Sequence, residues 1–187
     1  MAQEIIPVTE EDVPRLRIEV SEHVSLDSPS PSYAPDLFQL IDSNRAYLKQ
    51  YVAWTPYVQT EEDSRQFLMK CLAEAQRGTG MAYIMLYQNR PAGIISLQNI
   101  DRGNKTAYFG YWLDPLRQGL GIVTQSILTL LKHHEGEFSR FVIKCATSNV
   151  ASNAVATRCG FEKEGVLRKA EIIGDICHDQ NIYAYVR

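Results

Sequence analysis

The sequence predicts a mixed α/β fold: one largely antiparallel sheet with helices on both faces. Three observations carry this prediction. Three β-like segments, Met81 to Tyr87, Ala92 to Ile100 and Thr106 to Leu113, are separated by short polar loops, as in an antiparallel meander. The last of them leads through a glycine-containing loop and a helical stripe into a further apolar run, Phe141 to Ala146. Two strands joined across a helix are expected to be parallel neighbours. Finally, the segment AYFGYWL is apolar without alternation, which implies burial on both faces and places this strand near the sheet centre.

The elements follow in order. Short alternating runs at Leu16 to Val20 and His23 to Leu26 read as one strand or a hairpin. Ser28 to Pro35 is a loop. From Asp36 the pattern is helical: Leu37, Leu40 and Ile41 share a face, and Tyr47, Leu48, Tyr51 and Val52 repeat it before Trp54-Thr55-Pro56. This predicts two short helices joined near Asp42-Ser43-Asn44. Thr60 and Asp63 form a capping-box pattern ahead of the stripe Phe67, Leu68, Cys71, Leu72 and Ala75, giving a helix from Glu61 to Arg77. After the meander, Val123, Ile127, Leu130 and Leu131 mark a helix ending near His133, and Ala151 to Arg158 a shorter one stopping at Gly160. Glu164 to Ile173 and Asn181 to Val186 close the chain as strands around Gly174-Asp175.

Composition narrows the function. The 187 residues, 45% hydrophobic and 22% charged, suit one soluble globular domain, with residues 1–15 as an N-terminal extension. Nineteen Lys+Arg against 22 Asp+Glu give a net charge of −3, so no global positive field exists to collect phosphate backbones, and nucleic acid is not an expected partner. Cys71, Cys145, Cys159 and Cys177 form no CxxC pair and sit among apolar neighbours, as buried thiols of a reducing cytoplasm do. His23, His133, His134 and His178 lack metal-ligand spacing, so solvent-facing or capping roles and no metal are expected. The acidic start, MAQEIIPVTEEDVPRL, is unlike a signal peptide, and no window reads as a membrane span.

The chemistry-bearing segment is Gln118-Gly119-Leu120-Gly121-Ile122-Val123-Thr124, with two glycines between a strand and a helix. There, successive backbone N–H groups and the helix dipole can converge on a diphosphate. The same glycines would equally serve a tight strand-to-helix turn. A dinucleotide fingerprint is excluded because position 124 is Thr, and a Walker loop because no Gly-Lys-Ser/Thr follows.

A second segment runs Asn149-Val150-Ala151-Ser152-Asn153-Ala154-Val155-Ala156-Thr157-Arg158-Cys159-Gly160-Phe161. Together the two resemble the GNAT acyl-CoA N-acyltransferases, with their loop Q/R-x-x-G-x-G/A and helix N-x-x-S-x-x-V-A-x-x-x-G-F. Gln118, Gly121, Asn149, Ser152, Val155, Ala156, Gly160 and Phe161 match. Within that superfamily the chain resembles the ribosomal-protein N-terminal (serine) acetyltransferases of the RimL/RimJ type, through Trp54, Gln59 with Glu61-Glu62-Asp63, Gly110 to Asp114, Arg140 to Cys145 and Ala170-Glu171.

The resemblance implies a GNAT fold, its sheet splayed between the family's fourth and fifth strands. It implies acetyl-CoA as co-substrate, a homodimer, and as acceptor a protein N-terminus, possibly ribosomal and starting with Ser. The acceptor alternatives are a small amine such as a polyamine or amino sugar, or no acceptor at all in an acyl-CoA-binding module. Glu171 is implied as base. Ser152 is the matching candidate to hydrogen-bond the departing sulfur, or else it caps its helix. Gln118 to Thr124, Trp112, Leu113, Asn149 and Asn153 are implied to hold the cofactor, the two asparagines pairing with pantetheine amides or capping local structure. Val123 must turn its side chain away from the diphosphate. The tyrosine usual five residues before the Gly-Phe phenylalanine is Ala156 here, so another proton donor is needed if one is used. Cys145 raises an acetyl-cysteine route, although no histidine in its segment would activate it. Trp54, Tyr57 and Tyr33 are expected either to wall an acceptor cleft or to pack in the core.

Overall fold

The computed structural model describes residues 15–187, so the expected N-terminal extension lies outside the described residues apart from Arg15. The chain forms β1 (Arg17–Glu19), β2 (Val24–Asp27), α1 (Ala34–Ser43), α2 (Arg45–Leu48), α3 (Glu61–Arg77), β3 (Met81–Tyr87), β4 (Arg90–Asp101), β5 (Thr106–Leu113), α4 (Ile122–His133), β6 (Arg140–Ala146), α5 (Val150–Arg158), β7 (Glu162–Ile173) and β8 (Ile176–Val186). The N-terminal runs are thus a hairpin. All eight strands join one sheet in the order β1-β2-β3-β4-β5-β6-β8-β7. The β5–β6 pair is parallel and the other pairs are antiparallel.

Strand alternation divides the core between the two faces. On one face Ile84, Leu86 and Ile94 pack with Leu37 of α1 and Leu68 of α3. On the other, Tyr83, Met85, Ile95, Leu97 and Phe109 meet Ile122, Ile127 and Leu130 of α4 and Val155 of α5. α3 begins where sequence places it: Thr60 accepts from the Asp63 amide, and Asp63 accepts in return from the Thr60 amide. Gly78, with φ +69°, ends it.

The expectation for β5 needs correction. Ala107 and Phe109 are buried, but Tyr111 to Leu113 are only half-buried, because the second half of the strand borders a cleft. Pairing of β5 with β6 runs from Thr106 and Arg140 to Phe109 and Ile143 and stops there. Beyond it, β5 still pairs with β4 as far as Leu113, and β6 with β8 as far as Ala146. The sheet therefore splays along Gly110 to Leu113. The opening falls between the fifth and sixth strands, one later than the family count, because the N-terminal hairpin supplies two strands.

Two irregularities set the edges of that opening. At Gly93, opposite Leu113, an added Cβ would lie 2.1 Å from the Trp112 carbonyl oxygen, so only glycine lets β4 approach β5 this closely. In β7 a bulge sets Arg168, Lys169 and Ala170 against Asp179 alone, between the pairs Leu167–Gln180 and Glu171–His178. Lys169 takes φ +50° there, and its amide donates to Asp179 Oδ1 at 2.8 Å.

Candidate active site

The splay opens into a cleft of about 1620 Å³ that passes from one face of the sheet to the other. Successive β5 residues face opposite sides. Tyr111 and Leu113 pack toward the α4–α5 face, whereas Trp112 packs toward α1 and α3. The two faces carry different chemistry.

On the α4–α5 face, Gly119 (φ +78°) and Gly121 (φ +74°) turn the chain into α4. Gly121 is the N-cap and supplies no side-chain cap, and the first intrahelical bond from the Gln125 amide reaches back to its carbonyl. The amides of Ile122, Val123 and Thr124 are thus the uncapped N–H groups of a helix N-terminus, and these residues line the cleft with Gln118, Gly119 and Gly121. This donor set fits a diphosphate. Val123 directs its side chain into the core, as its departure from the family pattern requires. Arg117 and Arg158 add cationic side chains to the lining. Leu120 is not among the lining residues; it is 45% exposed. The Gln118 side-chain Nε2 donates to the Tyr47 hydroxyl, tying this loop to α2.

Among the α5 residues, Asn149 lines the cleft and also caps the helix, its side chain accepting from the Ser152 amide at 3.1 Å. The expectation for Asn153 is not met. Its Nδ2 donates to the carbonyls of Ala146 and Asn149, while its Oδ1 accepts from Asn181 Nδ2 at 2.6 Å and from the Tyr183 hydroxyl at 2.8 Å. With every donor and acceptor engaged, this amide staples α5 to β6 and β8, away from the cleft. Ser152 is not the helix cap; its hydroxyl meets that of Tyr111 at 2.7 Å. Cys145 also contacts Ser152, and burial pushes its thiol above the ordinary range, leaving it protonated. Ala156 is fully buried in the core.

On the opposite face, the β7 bulge delivers Glu171 into the cleft, where its Oε2 accepts from Gln180 Nε2 at 2.8 Å. Trp54 and Trp112 form a tilted aromatic pair with centroids 5.8 Å apart, and Tyr57, 80% exposed, stands at the rim. Tyr47, Tyr51 and Phe67 extend this aromatic wall. Lys144 lies over the Tyr108 ring at 5.0 Å. Tyr33 does not belong to the cleft. It packs in the smaller core and donates to Asp27 Oδ2 at 2.7 Å, with burial pushing its phenol up to about 12.

Sequence reasoning missed Tyr111, Gln180 and Tyr47 as partners of site residues. The parity of Tyr111 with Phe109 was the available signal for the first; the register that brings Gln180 to Glu171 depends on the bulge and left none. Two further expectations change. Cys177 is exposed beside the β7–β8 turn, while the other three cysteines are buried. His134 does end α4, but it is buried, between the Tyr83 hydroxyl at 3.2 Å and Glu137 at 2.7 Å. Among the described residues no group of His, Cys, Asp and Glu could hold a metal ion, and no helix is long and apolar enough to cross a membrane.

The chain is similar to known proteins in sequence and fold. The acetyltransferase (GNAT) domain family matches residues 23–162. The ribosomal-protein-serine acetyltransferase of Escherichia coli (strain K12) is 40% identical over 171 residues, 90% of this chain and 96% of that protein. A structure of RimL, a ribosomal L7/L12 alpha-N-protein acetyltransferase, in complex with coenzyme A in disulfide linkage to a cysteine, superposes with TM-score 0.89 at 40% identity, covering 91% of this chain and 98% of that one. The microcin C7 self-immunity acetyltransferase MccE, in complex with acetyl-CoA and AMP, does so with TM-score 0.89 at 41% identity, covering 91% and 96%. With the uncapped α4 N-terminus, the splayed β5–β6 pair and a family match over most of its length, the chain belongs to the GNAT acetyltransferases.

Proposed function

We propose that the protein transfers acetyl from acetyl-CoA to the N-terminal α-amine of a protein, a ribosomal protein starting with Ser. The observation that carries this reading is the two-sided cleft. An uncapped helix N-terminus and the Tyr111–Ser152 hydroxyl pair occupy one face, and a carboxylate among aromatic walls the other. Such a cleft lets donor and acceptor approach through the splay from opposite sides. The relatives named above support the acceptor class.

In this reading the amine attacks the thioester carbonyl, forming the C–N bond, and Glu171 takes its proton directly or through water. Collapse breaks the C–S bond, and its electron pair leaves on sulfur as thiolate, hydrogen-bonded by Ser152. The β5 backbone freed by the splay offers N–H groups to pantetheine and to the developing oxyanion. An α-amine suits a weak base: about 10% is neutral at pH 7, against roughly 0.04% of a lysine amine. The protonated state of Cys145 argues for direct transfer over an acetyl-cysteine.

A panel of acceptors with thiol-release detection tests the reading. Ser-start peptides are expected to be acetylated; exclusive turnover of a polyamine or amino sugar would replace this reading with the small-amine one. That second reading has one observation in its favour, since the Trp54–Trp112 pair would offer its ring faces to a small ammonium ion as well as to a peptide. A homodimer in the cytoplasm completes the proposal; the buried thiols of Cys71, Cys145 and Cys159 accord with a reducing compartment, and sedimentation tests the dimer.

A further inference from the structure

We infer that Tyr111 is a positioning residue for the transfer: its phenol holds the Ser152 hydroxyl so that the serine proton points into the cleft at the departing thiolate. The two side chains come from opposite banks of the splay, Tyr111 from β5 and Ser152 from α5, and meet at 2.7 Å. A serine hydroxyl has one proton, two lone pairs and a free rotor. Left alone on a helix, it turns that proton to a backbone carbonyl one turn back or, here, to the neighbouring Cys145 sulfur. A phenol O–H donated into one lone pair narrows that freedom, because the serine must then turn its own O–H away from the phenol.

The phenol is taken as the donor because its O–H is more acidic, and its oxygen a weaker acceptor, than those of an alcohol, and burial keeps it protonated. Neither hydroxyl changes its covalent state. The C–S electron pair leaves on sulfur, and a thiol is far more acidic than an alcohol, so the thiolate accepts a hydrogen bond without taking the serine proton. The amine proton goes to Glu171, and no further reactant is needed. Since Ala156 sits in the core, the phenol at this serine comes from the sheet and not from α5.

This inference rests on the proposed thioester cleavage but not on the identity of the acceptor. The test is steady-state thiol release from acetyl-CoA by the full-length protein, with a Ser-start peptide and separately with a small amine. Tyr111→Phe is expected to lower kcat about three- to tenfold, the worth of one hydrogen bond, while KM for acetyl-CoA stays within about twofold. In a Ser152→Ala background the same change is expected to cost nothing more, because the group it positions is gone. Ser152→Thr, which retains a hydroxyl, is expected to retain the dependence on Tyr111. Additive losses in the double variant, a loss confined to KM, or a Ser152→Thr protein indifferent to Tyr111 would each overturn the inference. An inert peptide beside an acetylated small amine would overturn only the proposed acceptor, and no release with either would overturn both.

Discussion

Glu171 and Cys145 both line the cleft, and in the proposed transfer they have different parts. Glu171 reaches the cleft with one oxygen held by Gln180, so its second oxygen is free to take a proton. We expect Glu171→Gln to lower kcat about 100-fold with little change in acetyl-CoA affinity, measured by thiol release and by calorimetric titration. Unchanged turnover would remove Glu171 from the mechanism, and a wild-type protein that binds acetyl-CoA without turnover would favour a binding module. Cys145 is kept protonated by burial, and the nearby Glu171 charge acts in the same direction. Intact mass after brief mixing with acetyl-CoA is therefore expected to show no acetyl adduct; an adduct that disappears in Cys145→Ser would establish a covalent route. His134 is a structural residue. Burial, together with His133 and Arg102, lowers its pKa, against the opposing pull of Glu137. A histidine depressed in the folded state makes its full contribution above its unfolded value, near 6.5, and loses it as the pH falls below that. Thermal melts should thus show stability falling as the pH drops below about 6.5, with a flatter profile in His134→Gln.

At the scale of elements, the site depends on where strands cease to pair. β5 is held by β4 along the stretch where β6 releases it, so the opening has one rigid wall. Gly93 is the point at which that wall is tightest. Gly93→Ala forces a methyl group against the Trp112 carbonyl, which cannot withdraw without shifting the strand. We expect a loss of about 1–3 kcal/mol in denaturant unfolding, together with weaker acetyl-CoA binding as Trp112 and Leu113 are displaced. An unchanged midpoint would show that β4 and β5 separate more easily than their geometry implies. The β7 bulge works differently: it adds residues on one side of a ladder and so turns Glu171 toward the cleft, with the Lys169–Asp179 bond holding the distortion in place.

For the whole molecule, donor binding should be a stabilising event. In the proposed reading acetyl-CoA lies across α4, α5 and the open edge of β5, elements that meet only in the folded chain. At 100 times Kd it is expected to add about 2.7 kcal/mol, or roughly 5–10 °C in Tm for a chain of this size. No shift would exclude both the transfer and the binding-module readings. The net charge of −3 takes a place in this picture as well, since an acceptor approached through an aromatic cleft is a polypeptide end or a small amine and not a phosphate backbone.

The sequence by itself determined the mixed sheet, the capped α3, the parallel β5–β6 pair and the glycine turn into α4. Each is written in local chemistry: a side-chain period, a Thr–Asp cap, glycines that alone take positive φ without strain, and a connection too long for a hairpin. Motif resemblance added Ser152, Glu171 and the acyl-CoA donor. It also pointed to Asn153 and Leu120, which are not among the lining residues of the cleft, because a motif records which residues recur and not which way each side chain faces. That direction, the burial of His134, the exposure of Cys177 and the meeting of Tyr111 with Ser152 were decided by tertiary structure alone. All depend on register across a bulge or a splay, where contacts between residues distant in the chain set the geometry and no local period can encode it.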